Sequence, residues 1–222
     1  MKRLLFFSIL FLFATNLSAQ SNFYKWSAGV NIGGTLVYGD SDKKRVGYAY
    51  AGVVDYYFTP YMNLGFEFQA GKLKGGEIGI RSFENNYKTI AFNGRMQLGQ
   101  FLNDDHLDSF IWRNLKGFYI GAGLGAIDNK VDITLPHTVG YFKNKEIFMP
   151  VNVGLNINIQ RRWQEYSRIM VNVNYQTVVS FEDGMDGDYD LKSNSNDRYS
   201  FLSLGLRYNF GSIGLDQSKR RL

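Results

Sequence analysis

The stretch Leu202-Ser203-Leu204-Gly205-Leu206-Arg207-Tyr208-Asn209-Phe210 alternates without a break. Leu202, Leu204, Leu206, Tyr208 and Phe210 lie on one face of an extended chain, and Ser203, Gly205, Arg207 and Asn209 on the other. Successive side chains of a β-strand point to opposite faces, so this segment has one apolar and one polar face and closes on two aromatics.

The same alternation recurs upstream. It predicts strands over 24–38, 46–58, 62–72, 88–100, 117–127, 147–159 and 168–181, with 198–210 as the eighth. In the first, Trp26, Ala28, Val30, Ile32 and Leu36 alternate with Ser27, Gly29, Asn31, Gly33 and Thr35. That strand is long for a globular protein, whereas a tilted membrane-crossing strand needs about 9–11 residues within the hydrocarbon. Thr59-Pro60-Tyr61 reads as a tight turn, because proline cannot donate to a ladder.

Export is written at the start. Lys2 and Arg3 precede an apolar run from Leu4 to Ala14, and Leu17-Ser18-Ala19 offers a small-residue cleavage site before Gln20. This is the pattern of a secretory signal peptide over 1–19, and the run is too short for a comfortable helical span. The 222 residues contain no cysteine, which removes disulfides, thiol catalysis and cysteine metal sites. The formal net charge is +5, but Lys2 and Arg3 leave with the signal and Lys219, Arg220 and Arg221 sit in the tail. Scattered charge on an exported chain argues against nucleic-acid binding.

These features predict an all-β chain: an eight-stranded antiparallel up-and-down transmembrane β-barrel over 20–210, then a short basic tail over 211–222. Both termini are expected in the periplasm. A barrel hides its membrane character in mean hydropathy because lipid-facing and lumen-facing residues alternate. The expected outer connections are 39–45, 75–87, 128–146 and 182–197; the periplasmic ones are 59–61, 101–116 and 160–167. The 101–116 connection is long for its side. Leu107, Phe110 and Ile111 follow Asn103-Asp104-Asp105 at helical spacing, which fits a short interfacial helix or an irregular loop. Trp26, Trp112 and Trp163 all fall on the periplasmic side, as interfacial aromatics would. The competing architecture is a soluble barrel or sandwich with its apolar faces inside.

The chain resembles the small outer-membrane β-barrels related to the OmpA transmembrane domain, in the form common in Bacteroidetes-like bacteria. Phe118-Tyr119-Ile120-Gly121-Ala122-Gly123-Leu124-Gly125 is similar to a glycine-rich segment of that family. Ser203, Gly205, Tyr208 and Phe210 match its C-terminal assembly signal, which implies the barrel-assembly machinery as a partner during biogenesis. The resemblance also implies outer-membrane lipid and lipopolysaccharide as surroundings. Where multidomain relatives continue into a peptidoglycan-binding domain, the twelve residues after Phe210 are too few to form one.

The inward positions carry the candidate chemistry: Asp55, Glu67, Asn93, Arg95, Arg168 and Arg207. Glu67 and Arg95 lie on neighbouring predicted strands and are the expected ion pair. An eight-stranded barrel is just wide enough for side chains to fill, so a plugged polar core is expected over a gated narrow pore. The acidic run from Glu182 to Asp190 has a leucine, Leu191, where a calcium loop of the EF-hand type needs another residue, and reads as a solvated loop. His106 and His137 have no evident partner for base catalysis, so an enzyme is not expected; a lipid-modifying activity is the weakest alternative. No cofactor or metal is implied. The expected role is structural or binding within the cell envelope, with an accessory subunit of a larger complex as the alternative.

Overall fold

The structure is a computed structural model that describes residues 21–38, 44–77, 81–102, 114–135, 138–159, 167–181 and 198–215. Eight long strands form it: β1 (Ser21–Tyr38), β2 (Gly47–Thr59), β3 (Met62–Glu77), β4 (Arg81–Gln97), β5 (Phe118–Leu135), β6 (Thr138–Ile159), β7 (Ile169–Ser180) and β8 (Arg198–Leu215). A two-residue strand, Lys44–Arg45, precedes β2 and pairs with Gly75 and Lys74 of β3. Each long strand pairs antiparallel with its sequence neighbour, and β8 pairs with β1, so the sheet closes on itself. This is the expected eight-stranded up-and-down barrel. Closure removes the unpaired backbone edge that no membrane-embedded sheet can leave open.

The turn at 59–62 is held as its sequence suggests. The Thr59 hydroxyl accepts from the Tyr61 amide at 3.2 Å and donates to the Gln100 side-chain carbonyl at 2.9 Å. Beyond β4 the chain makes a 3-10 turn, Leu98–Gln100. The rest of the 101–116 connection lies largely outside the described residues, as do Trp112, Trp163, His106, His137 and the acidic run 182–190.

Period two sets the two surfaces. On β1, Val30 and Ile32 are 67% and 70% exposed, while Ser27 and Asn31 are 0% and 3% exposed. On β8, Leu204 is 58% exposed and Arg207 is 1%. The apolar residues therefore face outward and the polar ones inward, the reverse of a soluble barrel. Rows such as Phe66, Phe92 and Leu124 run from strand to strand around the outside. Trp26 packs edge-on to Tyr56 at 5.0 Å between ring centres, near the end that carries the chain termini.

Three expectations on boundaries are corrected. Within 75–87 and 128–146 the described residues are strand rather than loop. Strands β3 and β4 pair as far as Glu77 and Arg81, and β5 and β6 as far as Leu135 and Thr138. Their period-two pattern continues with its polarity inverted. Phe83, Tyr87, Ile127 and Val131 point inward and are buried, while Lys88, Lys130 and Asp132 point outward. The change from lipid to water outside the barrel accounts for the inversion. The tail also begins later than Phe210, because β8 continues to Leu215 and pairs with the start of β1 through two register shifts. Gly211 makes that continuation possible. Its φ is +85°, and a Cβ there would stand 2.9 Å from Cδ1 of Trp26.

Candidate functional site: the lumen

The interior has two storeys. The one nearer the chain termini is polar and charged. Asp55 on β2, Glu67 on β3, Arg95 on β4 and Arg207 on β8 all point into it and are at most 5% exposed. Arg95 donates through Nη1 to Oδ1 of Asp55 at 2.7 Å and through Nη2 to Oε2 of Glu67 at 2.8 Å. Arg207 donates through Nη1 to Oδ2 of Asp55 and through Nη2 to Oδ1 of Asn172 at 3.4 Å. Gln176 on β7 donates to Oε1 of Glu67 at 2.7 Å. Two guanidinium groups thus meet two carboxylates, and the cluster is formally neutral. Charges in a dry interior are tolerated only when paired and hydrogen-bonded in this way.

Glycines make room for these side chains. A Cβ on Gly29 would stand 2.6 Å from Cγ of Arg207, and one on Gly121 would stand 2.8 Å from Cγ of Arg95. A Cβ on Gly65 would collide with the Asp55 carboxylate. Beside the ion pairs runs an amide layer. Asn172 donates to Asn156 at 2.8 Å and to the Tyr119 hydroxyl at 3.0 Å, and that hydroxyl donates to Asn174 at 2.8 Å. Asn93 accepts from Asn152 at 3.5 Å.

The second storey, nearer the far end, is mostly apolar. Val37, Ala49, Leu73, Phe83, Tyr87, Val131, Phe148, Tyr199 and Phe201 belong to one buried cluster. The Tyr87 and Tyr199 rings lie 5.3 Å apart, and the Tyr199 hydroxyl donates to Gln69 at 3.2 Å. One wall carries a polar group. Glu146 is buried and accepts from Ser180, and from Asn144 at 3.0 Å. Asn85 donates to Asn129 at 2.9 Å on the same wall.

The structure therefore brings Asp55, Glu67, Asn93, Arg95 and Arg207 into the lumen and joins Glu67 to Arg95. Arg168 does not belong with them. It precedes the first residue of β7, is exposed, and donates to the Tyr24 hydroxyl at 3.0 Å and the Tyr208 hydroxyl at 3.1 Å. Its guanidinium carbon sits 5.5 Å from the centre of the Tyr24 ring, outside the barrel wall. Ser203 and Gly205 face inward, and Tyr208 and Phe210 face outward. Sequence reading missed Asp55 as the bridge between two arginines, and missed Glu146 altogether. The signal for Glu146 was its place in an inward phase with Phe142, Asn144 and Phe148, within 128–146, where the sequence predicts a connection.

A closed antiparallel ring of eight strands, apolar outside and packed inside, defines a small outer-membrane β-barrel. A family model described as the outer membrane protein beta-barrel domain matches residues 5–210, and the chain belongs to that family. Membership implies an outer-membrane location. The fold is similar to Neisserial surface protein A, with 11% identity over 84% of this chain and 97% of that one, and a TM-score of 0.51. It is also similar to Ail, the attachment invasion locus protein of Yersinia pestis, with 12% identity over 85% of this chain and 99% of that one, and a TM-score of 0.53. No curated protein matches the chain in sequence.

Proposed function

We propose that this protein is a non-conducting scaffold of the outer membrane, a structural and binding element rather than a channel or an enzyme. One observation supports this above the rest: the lumen is filled twice, by a neutral ion-pair layer and by an aromatic layer beyond it. The interior of an eight-stranded ring is just wide enough for such side chains to fill. Activity then resides on the outside. The lipid face anchors the barrel, and the strand extensions and connections at the far end present a surface to ligands, partner proteins or lipopolysaccharide. The signal peptide and the assembly signal of Ser203, Gly205, Tyr208 and Phe210 deliver the chain to its membrane, with both termini in the periplasm.

Two measurements test the reading. The purified full-length protein in planar lipid bilayers is expected to give no discrete conductance steps, and reproducible steps from the wild type would overturn the closed-lumen role. The chain has no cysteine, so Thr134→Cys at the far end supplies a single thiol. A membrane-impermeant maleimide should label it on intact cells. Labelling only after the outer membrane is opened would reverse the orientation.

A further inference from the structure

The polarity inversion on β3 to β6 leaves a surface that the closed lumen does not use. Phe68, Ile90, Ala126 and Ile147 partner one another across these four strands and form their last wholly apolar row. The next row outward is Ala70, Lys88, Asp128 and Lys145. Then come Lys72, Asn86, Lys130 and Lys143, and after them Lys74, Glu84, Asp132 and Tyr141. Six lysines face three carboxylates in these rows. Glu84 is taken by Lys72 and by Lys74 at 3.2 Å, and those hydrogen bonds, Lys72 first, hold its carboxyl below the usual range.

Lys88, Lys130, Lys143 and Lys145 are exposed and make no ion pair among the described residues. Lys130 stands directly opposite Lys143. Like charges across a strand pair repel, so this arrangement weakens the sheet unless an anion lies between them. The rest of the rim at this end is different. Its exposed outward residues include Tyr38 on β1, Tyr48 and Tyr50 on β2 and Phe181 after β7, with Arg198 on β8. Among the described residues, the exposed lysines of this rim therefore collect on one half of the barrel, immediately beyond the hydrocarbon-facing band.

We propose that this half-collar binds the phosphate groups of outer-leaflet glycolipid, with Lys88, Lys130, Lys143 and Lys145 as the donors. Position selects a membrane lipid over a soluble anion. An acyl chain lying on Ile90, Ala126 and Ile147 sets its headgroup at the lysine rows, and lysine stems extend along apolar surface to reach a phosphate. The proposal rests on the orientation given above, with the far end outward.

The test uses the full chain in phosphatidylcholine nanodiscs, alone or containing diphosphoryl lipid A or the same lipid A stripped of its phosphates. Diphosphoryl lipid A is expected to raise the melting temperature and the dephosphorylated form is not. In titrations with labelled diphosphoryl lipid A, each Lys→Gln change should weaken binding about fivefold, the attraction of one basic side chain for an anionic surface. The variant carrying all four changes should lose the melting shift while melting like the wild type in phosphatidylcholine. If it does not fold, Lys130→Gln with Lys143→Gln carries the same comparison. Equal shifts from both forms of lipid A, a shift retained in the variant, or an equal response to inorganic phosphate would overturn the proposal. Lipid A occupies both leaflets of a nanodisc, so the outcome does not depend on orientation, which the Thr134→Cys labelling decides separately.

Discussion

Arg95 and Arg207 can lie buried because three glycines stand where side chains would otherwise be. Gly121 clears the stem of Arg95, Gly29 clears that of Arg207, and Gly65 clears the carboxylate that both arginines share. Asp55 is the hinge of the cluster, since its two oxygens each take one arginine. Asp55→Ala should therefore cost more than loss of one ordinary pair. It leaves Arg207 buried with no carboxylate and Arg95 with Glu67 alone, and the expected destabilisation is about 3–5 kcal/mol. Glu67→Gln keeps a side-chain oxygen for Arg95, removes one charge, and should cost clearly less. Urea unfolding in lipid vesicles, followed by tryptophan fluorescence, gives the comparison; equal losses would mean that Asp55 is not the bridge. The Glu67–Arg95 pair was legible in the sequence because both sit in the inward phase of neighbouring strands. The Asp55–Arg207 contact was not, because it spans the β8–β1 seam that exists only once the barrel closes. Arg168 shows the opposite error: strand parity, carried one residue past the strand's end, placed it inside.

The strands record where the membrane stops. On β4, apolar residues point outward at Ile90 and Phe92 and inward at Phe83 and Tyr87. On β5, Ile120 and Leu124 point outward and Ile127 and Val131 inward. The outer solvent changes along each strand from hydrocarbon to water, so the favoured phase of the alternation changes too. An alternation search that asks for greasy residues in one phase ends the strand at this crossing. For that reason 75–87 and 128–146 read as loops. Eight strands, their order and the two faces within the membrane were all legible; the extensions were not. The inversion makes a graded prediction about charge on the outer face. Phe92→Lys, within the apolar band, should destabilise the barrel by about 2–4 kcal/mol. Thr134→Lys, beyond the crossing on β5, should change stability by less than about 0.5 kcal/mol. Equal costs at the two positions, measured by the same urea unfolding, would place the boundary elsewhere.

At the scale of the whole barrel, the proposed scaffold role has the two storeys close the lumen independently. The ion-pair layer joins β2, β3, β4 and β8 through side chains that hold one another, and β7 joins through Gln176. The aromatic layer beyond it closes the far end by packing, with Tyr87, Tyr199 and Phe201 at its centre. An eight-stranded interior is just wide enough for side chains to fill, so under the proposed scaffold role each layer alone bars a hydrated ion. Breaching one should therefore leave the barrel silent. Glu67→Ala with Gln176→Ala opens a gap in the charged storey, and Tyr87→Ala with Tyr199→Ala opens one in the aromatic storey. Neither double variant is expected to conduct in planar bilayers, whereas the quadruple variant should show steps of small conductance. Both double variants should still shift in gel mobility on heating, as a folded barrel does, so silence would not reflect loss of fold. Steps from the aromatic double variant alone would show that the ion-pair layer yields to permeating ions. The two layers would then not close the lumen independently, and the aromatic layer alone would keep the wild type silent.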